Sequence, residues 1–217
     1  NKKKNLPYVT SKIAISKDCH TINRKKNWIT NESSRRITHL IRHKHDCIMS
    51  TSKSINSDNS LLNCRINGLN QNKPDLFILD LNLRLKKNLT LYKLLKNRKT
   101  YLITSFKNKK LSFFYKKKGF RIIYIKSLMN KIDFLSVLKR IYKMGYSRML
   151  IESGLTFLNF LLLNRITNEL YIFKSNTKLG KKGRNNSTTK HLKKISLKKV
   201  TINLNGDKLF KEEFCYV

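Results

Sequence analysis

Short apolar runs of strand length alternate along this chain with stretches whose apolar residues recur at helical spacing, and that alternation constrains the fold most. Tyr8–Ser16 reads as a strand, with Val9, Ser11, Ile13 and Ile15 on one face and Tyr8, Thr10, Lys12, Ala14 and Ser16 on the other. Thr30 or Asn31 then caps a helix running to about Lys44, with Glu32 in the first turn, where the helix dipole favours an anion. Ile37, Leu40, Ile41 and Lys44 lie along one side of it, and Arg35, His39 and Arg42 along the opposite side. Cys47-Ile48-Met49 reads as a short buried strand, followed by a Ser/Asn/Asp-rich loop around Ser57–Ser60. Further strands are predicted at Leu76–Leu79, Tyr101–Thr104, Arg121–Ile125, Met149–Ile151 and Leu170–Phe173. Ile132–Tyr142 reads as an amphipathic helix presenting Phe134, Leu135, Leu138, Ile141 and Tyr142, while Leu155–Leu163 is apolar nearly all round, which implies burial between other elements. Strands alternating with helices call for an α/β fold whose mostly parallel sheet is covered on both faces. After Lys174 the pattern changes to a Lys/Asn/Ser-rich loop through Lys190, then two extended pieces near Ile195–Leu204 and Glu213–Val217, most simply a C-terminal antiparallel hairpin.

A length of 217 residues suits one α/β domain or at most two small ones, and 40% hydrophobic content excludes a disordered chain. The most apolar stretch, Leu155–Leu163, is about half of the roughly 20 residues a spanning helix needs, so no membrane role is expected. The first residues, Asn1-Lys2-Lys3-Lys4-Asn5, are polar and basic with no apolar segment behind them, which is not a secretory leader. Residues 1–6 read as a linker left from a longer chain, and residues 7–217 as one domain, placed in the cytoplasm. Cys19, Cys47, Cys64 and Cys215 form no metal-binding spacing and suit free thiols in a reducing compartment. His39, His43 and His45 look metal-like, because positions four apart share a helix face, but a structural zinc would want additional Cys or Asp in a defined register; helix-surface histidines are the expectation, and no metal. The net charge of +36 opens a nucleic-acid reading, since Lys and Arg neutralise phosphates and release counterions. Against it, the basic residues are mostly Lys, spread over every segment among abundant Asn and Ile, and no nucleic-acid-binding motif accompanies them. Non-specific polyanion binding remains an expected side effect.

One ordered run says more about function than the charge does. It reads Trp28-Ile29-Thr30-Asn31-Glu32, then Arg35-Arg36, His39-Leu40-Ile41-Arg42-His43-Lys44-His45-Asp46, Asp58-Asn59 and Leu61-Leu62-Asn63-Cys64-Arg65. In order and nearly in spacing it resembles the reductase half of the bifunctional riboflavin-biosynthesis deaminase/reductase of the RibD type, and the likeness extends more thinly from Pro7 to about Asp207. The resemblance implies a dihydrofolate-reductase-like fold with a three-layer arrangement. It also implies an NADPH-dependent 5-amino-6-(5-phosphoribosylamino)uracil reductase, which passes hydride to ribose C1′ and yields the ribitylamino product. Implied partners are the phosphorylated pyrimidine, a deaminase domain upstream in a longer chain, and a second copy in a homodimer. The motifs that hold a deaminase's zinc, His-any-Glu and Pro-Cys-any-any-Cys, are absent from the chain, so no deamination is expected of it.

Carried over residue by residue, the resemblance makes Arg42, Leu62 and Arg65 substrate contacts. A guanidinium matches a phosphate bidentately, and the substrate carries a 5′-phosphate. Ala14, Trp28, Ser54 and Asp58 match cofactor-contacting positions; Trp28 reads equally well as a stacking ring or as a core residue. Lys12 sits mid-strand, where a lysine is either on a solvated edge or buried beside a carboxylate such as Glu152. The family pattern Lys-any-Ala-any-Ser-any-Asp-Gly appears as Lys12, Ala14, Ser16 and Asp18, with Cys19 in the place of glycine and Lys17 in that of leucine. The turn after this strand therefore conflicts with its sequence if it needs positive φ. Glu152-Ser153-Gly154 forms a strand-turn-helix junction, where backbone amides and glycine suit a bound phosphate, and Gly154 joins the cofactor set. The family carries Glu-Gly-Gly here. Lys12 and Glu152 are the catalytic candidates, Glu152 also as a substrate contact. Lys26 and Ser60 are further departures from the family pattern, standing for Ser and Pro. The rival reading is a catalytically degenerate, strongly basic nucleic-acid or polyanion-binding protein on the same scaffold.

Overall fold

β-branched and aromatic residues form strands where the alternation puts them. The computed structural model describes residues 5–25, 28–69, 74–187, 192 and 201–215. Its elements fall into two units, Asn1–Tyr8 with Leu40–Leu150, and Val9–His39 with Ile151–Val217.

In the first unit, β3 (Cys47–Thr51), β4 (Asp75–Leu79), β5 (Thr100–Ser105) and β6 (Arg121–Ile125) follow one another in parallel register, Ile48 opposite Leu76 and Ile103 opposite Ile123. Ile48, Met49, Leu76, Phe77, Ile78, Leu102 and Ile103 are wholly buried, the near-continuous apolar run of a parallel sheet covered on both faces. Each such side chain contributes about 1.5–3 kcal/mol by leaving water. Phe77 stacks on Tyr101 with ring centres 4.4 Å apart, and Tyr146 meets Phe77 edge-on at 5.1 Å. α2 (Ser52–Asp58) and α3 (Phe113–Lys117) lie between these strands in the chain, and α4 (Lys131–Lys143) follows β6. Asn130 caps α4 by accepting from the Asp133 amide at 3.0 Å, and the helix buries Phe134, Val137, Leu138 and Ile141. Asp46 accepts from the Ser147 amide, the Ser147 hydroxyl and the Arg148 amide at 2.8, 2.9 and 2.8 Å, which fixes the entry to β7 (Arg148–Glu152).

In the second unit, β1 (Tyr8–Ile15) pairs in parallel with β8 (Glu169–Lys174). The hairpin of β10 (Ile202–Leu204) and β11 (Asp207–Glu213) joins β8 antiparallel. Ile13, Ile15, Leu155, Leu158, Leu170, Ile172, Leu192 and Phe210 form its core. α5 (Leu155–Leu163) contributes Leu155, Leu158 and Leu161 to buried positions but leaves Leu163 58% exposed, so it is covered on one face rather than enclosed as its composition suggested. Asn31 caps α1 (Glu32–His43), accepting from the Ser34 amide at 2.9 Å. The Asn31 side chain also donates to the Leu204 and Asn205 carbonyls, while Asp207 accepts from the Asn31 amide and the Ser34 hydroxyl at 2.7 and 2.8 Å.

The fold is α/β with mostly parallel strands and a C-terminal antiparallel hairpin, and five details depart from the sequence expectation. Ser52–Asp58, expected to lead into a loop, is a helix capped by Thr51 and ended by Asn59 at φ 45°. Residues 174–190 are not all loop: β9 (Gly183–Asn186) pairs antiparallel with β2 (His20–Asn23), and the His20 ring occupies the space a side chain at 183 would need. The second hairpin strand lies at Asp207–Glu213 rather than 213–217; of the expected first piece, residues 195–200 lie outside the described set, as do Lys26, residues 1–4 of the expected linker and residues 216–217. The inward stripe of α1 is Ser34, Thr38, Ile41 and Arg42, while Leu40 is 39% exposed, because buried hydroxyls and a guanidinium with carbonyl partners outcompete simple apolar periodicity. His45, expected on a helix surface, is buried with Nδ1 2.6 Å from the Ile41 carbonyl.

Candidate active site

The ten residues singled out in the sequence divide evenly between the units. Arg42, Ser54, Asp58, Leu62 and Arg65 belong to the first, and Lys12, Ala14, Trp28, Glu152 and Gly154 to the second.

In the first unit, the segment after α2 turns on two left-handed residues, Asn59 at φ 45° and Leu62 at φ 51°. For leucine that backbone costs roughly 1–2 kcal/mol and persists only where neighbours enforce it. The enforcement is visible. Arg98, 6% exposed, donates from one terminal nitrogen to the Leu62 and Pro74 carbonyls at 2.8 and 3.1 Å and from the other to the Leu61 carbonyl. Arg42, 9% exposed at the end of α1, donates to the Asn63 carbonyl at 3.1 Å. Three successive carbonyls are thus turned toward two buried guanidiniums, and the chain leaves them at Arg65, which is open to solvent. Desolvation, reinforced by the like charge of Arg42, lowers the Arg65 pKa. Desolvation and the same Arg42 charge bring Arg98 down to about 10, against an opposing pull from Asp75. Arg98 therefore stays protonated at neutral pH. Like charges held close at a cost in repulsion favour any anion that joins them.

Ser54 and Asp58 are four residues apart on α2, hence on one helical face. The Thr51 hydroxyl accepts from the Ser54 amide at 3.2 Å and lies 3.1 Å from the Ser54 hydroxyl, while Asp58 is exposed.

In the second unit, Lys12 is not on a solvated edge. Its Nζ lies 3.9 Å from Glu152 Oε2 and 5.4 Å from the centre of the Phe173 ring, with both charged side chains largely buried. Ala14 is half-buried opposite Phe173 in the β1–β8 register. Trp28 is not core either: it is 57% exposed, with the Arg35 guanidinium 5.1 Å from its ring. Gly154 caps α5 in extended geometry, φ −69° and ψ 165°, a conformation open to any residue.

The turn after β1 does need positive φ, and Cys19 supplies it at φ 67° where the family pattern has glycine. Asp18 organises this turn. It accepts from the Ser16 hydroxyl at 2.6 Å and from the Leu179 and Gly180 amides at 2.9 and 2.7 Å. Burial alone would raise its pKa; the Ser16 hydroxyl and the two amides outweigh that and hold it well below the usual carboxylate range. Neither Arg98 nor the link from Asp18 to Leu179 and Gly180 is marked in the sequence. The one available signal for Arg98 is an arginine standing among lysines, Lys96-Asn97-Arg98-Lys99, since an arginine offers a planar fork that lysine does not. Among the described residues no group of three His, Cys, Asp or Glu side chains is arranged to hold a metal ion, and no helix is long and apolar enough to cross a membrane.

Parallel strands covered by helices and closed by a C-terminal antiparallel hairpin define the class: an α/β fold with a mostly parallel sheet. Residues 7–209 match the RibD C-terminal domain, and the chain belongs to that family. It is 29% identical over 178 residues to the riboflavin biosynthesis protein RibD of Buchnera aphidicola subsp. Baizongia pistaciae, covering 77% of this chain and 48% of that protein. The chain spans about half the length of the curated relatives it matches. Among solved structures, Acinetobacter baumannii RibD superposes with a TM-score of 0.74 at 20% identity, over 95% of this chain and 57% of that one. The Saccharomyces cerevisiae riboflavin biosynthesis reductase Rib7 does so with a TM-score of 0.72 at 21% identity, over 96% and 90%. At these identities the superpositions establish the shared fold.

Proposed function

We propose that residues 7–217 act as one reductase domain that converts 5-amino-6-(5-phosphoribosylamino)uracil to its ribitylamino form with NADPH. The observation that carries this reading is the arginine-crowned turn at residues 61–65, whose strained Leu62 and clustered positive charge suit a phosphate-bearing substrate in a chain of the RibD C-terminal family.

Arg65 and Arg42 anchor the 5′-phosphate, and Leu62 packs against the substrate beside them. NADPH, when bound, supplies the hydride that reaches C1′ of the ring-opened ribosylamino group. The exposed Trp28 ring with Arg35 beside it suits a planar, negatively charged nucleotide, and Ala14 and Gly154 of the same unit belong to the set the family likeness assigns to it. Reduction of the C1′–nitrogen double bond needs one proton at nitrogen to balance the hydride at carbon. The buried Lys12–Glu152 pair, 3.9 Å apart, supports a role for these two residues in orienting the reacting group and supplying that proton. The protein's share is positioning and electrostatics. The greater length of the curated relatives supports a deaminase domain as the source of substrate. Pairing of two copies and a cytoplasmic location belong to the same reading.

A direct assay with the deaminated pyrimidine and each nicotinamide cofactor in turn tests it. Oxidation of NADPH matched by ribitylamino product is expected. Absence of turnover, together with tight, salt-sensitive RNA binding, overturns it in favour of a polyanion-binding protein. Trp28 fluorescence should fall on adding NADPH, and an unchanged signal at saturating cofactor removes Trp28 from the site.

A further inference from the structure

We propose that Arg98 is a positioning residue for the substrate's phosphate: by holding the Leu61, Leu62 and Pro74 carbonyls it sets the direction in which Arg65 leaves the turn. The inference rests on the phosphate-anchoring reading above and assigns a role to a residue outside the matched motif.

Three observations converge on it. The guanidinium is almost wholly buried and donates to three backbone carbonyls of two separate segments, residues 61–62 and Pro74. One of its acceptors, Leu62, has a left-handed backbone that a leucine does not choose, so the turn is held rather than intrinsically preferred. The next carbonyl, Asn63, is held by Arg42, so the two guanidiniums act on adjacent peptide units, and Arg65 follows two residues later. A lysine cannot reproduce the arrangement, because one ammonium offers no planar fork to span carbonyls from two segments. A buried cation beneath the turn also adds to the field felt by an anion above it, without touching that anion.

The test compares wild type, Arg98→Lys, Arg98→Ala and Arg65→Ala, using NADPH and the substrate with and without its 5′-phosphate, at a temperature where circular dichroism shows each variant folded. Arg98→Lys is expected to raise KM for the phosphorylated substrate roughly tenfold or more. KM for NADPH should move less than about twofold, and kcat/KM for the phosphate-free substrate, which still meets Leu62, should fall several-fold less than for the phosphorylated one, a selectivity that a merely destabilised protein would not show. Added guanidinium ion should partly restore Arg98→Ala and leave Arg65→Ala less affected. Parallel losses with both substrates and with NADPH, or no loss at all, overturn the inference. If the loss caused by Arg65→Ala is the same with the phosphorylated and the phosphate-free substrate, the phosphate-anchoring reading itself falls. If the Arg65→Ala loss is confined to the phosphorylated substrate and Arg98→Lys shows no such selective loss, only the role of Arg98 falls. Should Arg98→Lys not fold, guanidinium rescue of Arg98→Ala activity decides alone: recovery selective for the phosphorylated substrate supports the role, and its absence overturns it.

Discussion

Two turns in this protein solve the same problem with opposite charge. After β1, Asp18 gathers a hydroxyl and two amide donors from residues 16, 179 and 180. After α2, Arg98 and Arg42 gather carbonyl acceptors from residues 61–63 and 74. Both hold a non-glycine residue in left-handed backbone, Cys19 in one and Leu62 in the other. The difference lies in what remains. The donors around Asp18 spend its charge on the turn itself. Arg42 and Arg98 donate to carbonyl oxygens of their turn, and the charge of Arg42 opposes that of the neighbouring Arg65 and Arg98. The first arrangement serves its own turn; the second is the one on which the phosphate-anchoring proposal rests.

The contrast is broken most sharply at Arg65. Arg65→Ala should raise KM for the phosphorylated substrate by tens of fold, the equivalent of the ~1.5–3 kcal/mol typical of a charged hydrogen bond, with KM for NADPH nearly unmoved. An unaltered substrate KM would place the 61–65 turn with the merely architectural one. Asp18→Asn should leave substrate KM alone and lower stability by about 1 kcal/mol, measured by urea denaturation, since partial exposure screens the hydrogen bonds that the carboxylate makes. The sign of its pH dependence follows from the depressed pKa. A carboxylate held below its unfolded value stabilises the fold above about pH 4 and loses that contribution as pH falls toward its folded pKa. Wild type should therefore lose stability on acidification below about pH 4 more steeply than Asp18→Asn; equal slopes would remove Asp18 as the organiser of its turn. The smallest effect is expected at Cys19. Cys19→Gly should stabilise the protein by roughly 0.5–1 kcal/mol, read as a higher Tm, by relieving left-handed strain at some cost in unfolded-chain entropy.

Much of this was legible in the chain. The strands at 76–79, 101–104, 121–125, 149–151 and 170–173 and the helix at 155–163 were marked by local apolar patterning, which tertiary structure had no reason to override. The Lys12–Glu152 pair followed from the cost of burying a lone ammonium. Periodicity failed on α1, because Arg42 is polar and yet buried, its burial made tolerable by a carbonyl 21 residues away that no local pattern reveals. It failed on α2 because Ser52–Asp58 has almost no apolar content, and a capping hydroxyl at Thr51 starts the helix instead. Arg98 was invisible for a related reason: in a chain so rich in basic residues, the one that matters to a turn is distinguished only by what surrounds it once folded.

The double duty of Asn31 and Asp207 has a consequence for how this chain tolerates shortening. A protein trimmed just before Ile202 would lose more than an edge of sheet: the start of the helix that carries Arg42 would surrender the four hydrogen bonds that residues 204–207 make to Asn31 and Ser34, and damage done at the tail would surface far upstream, as fraying at Glu32.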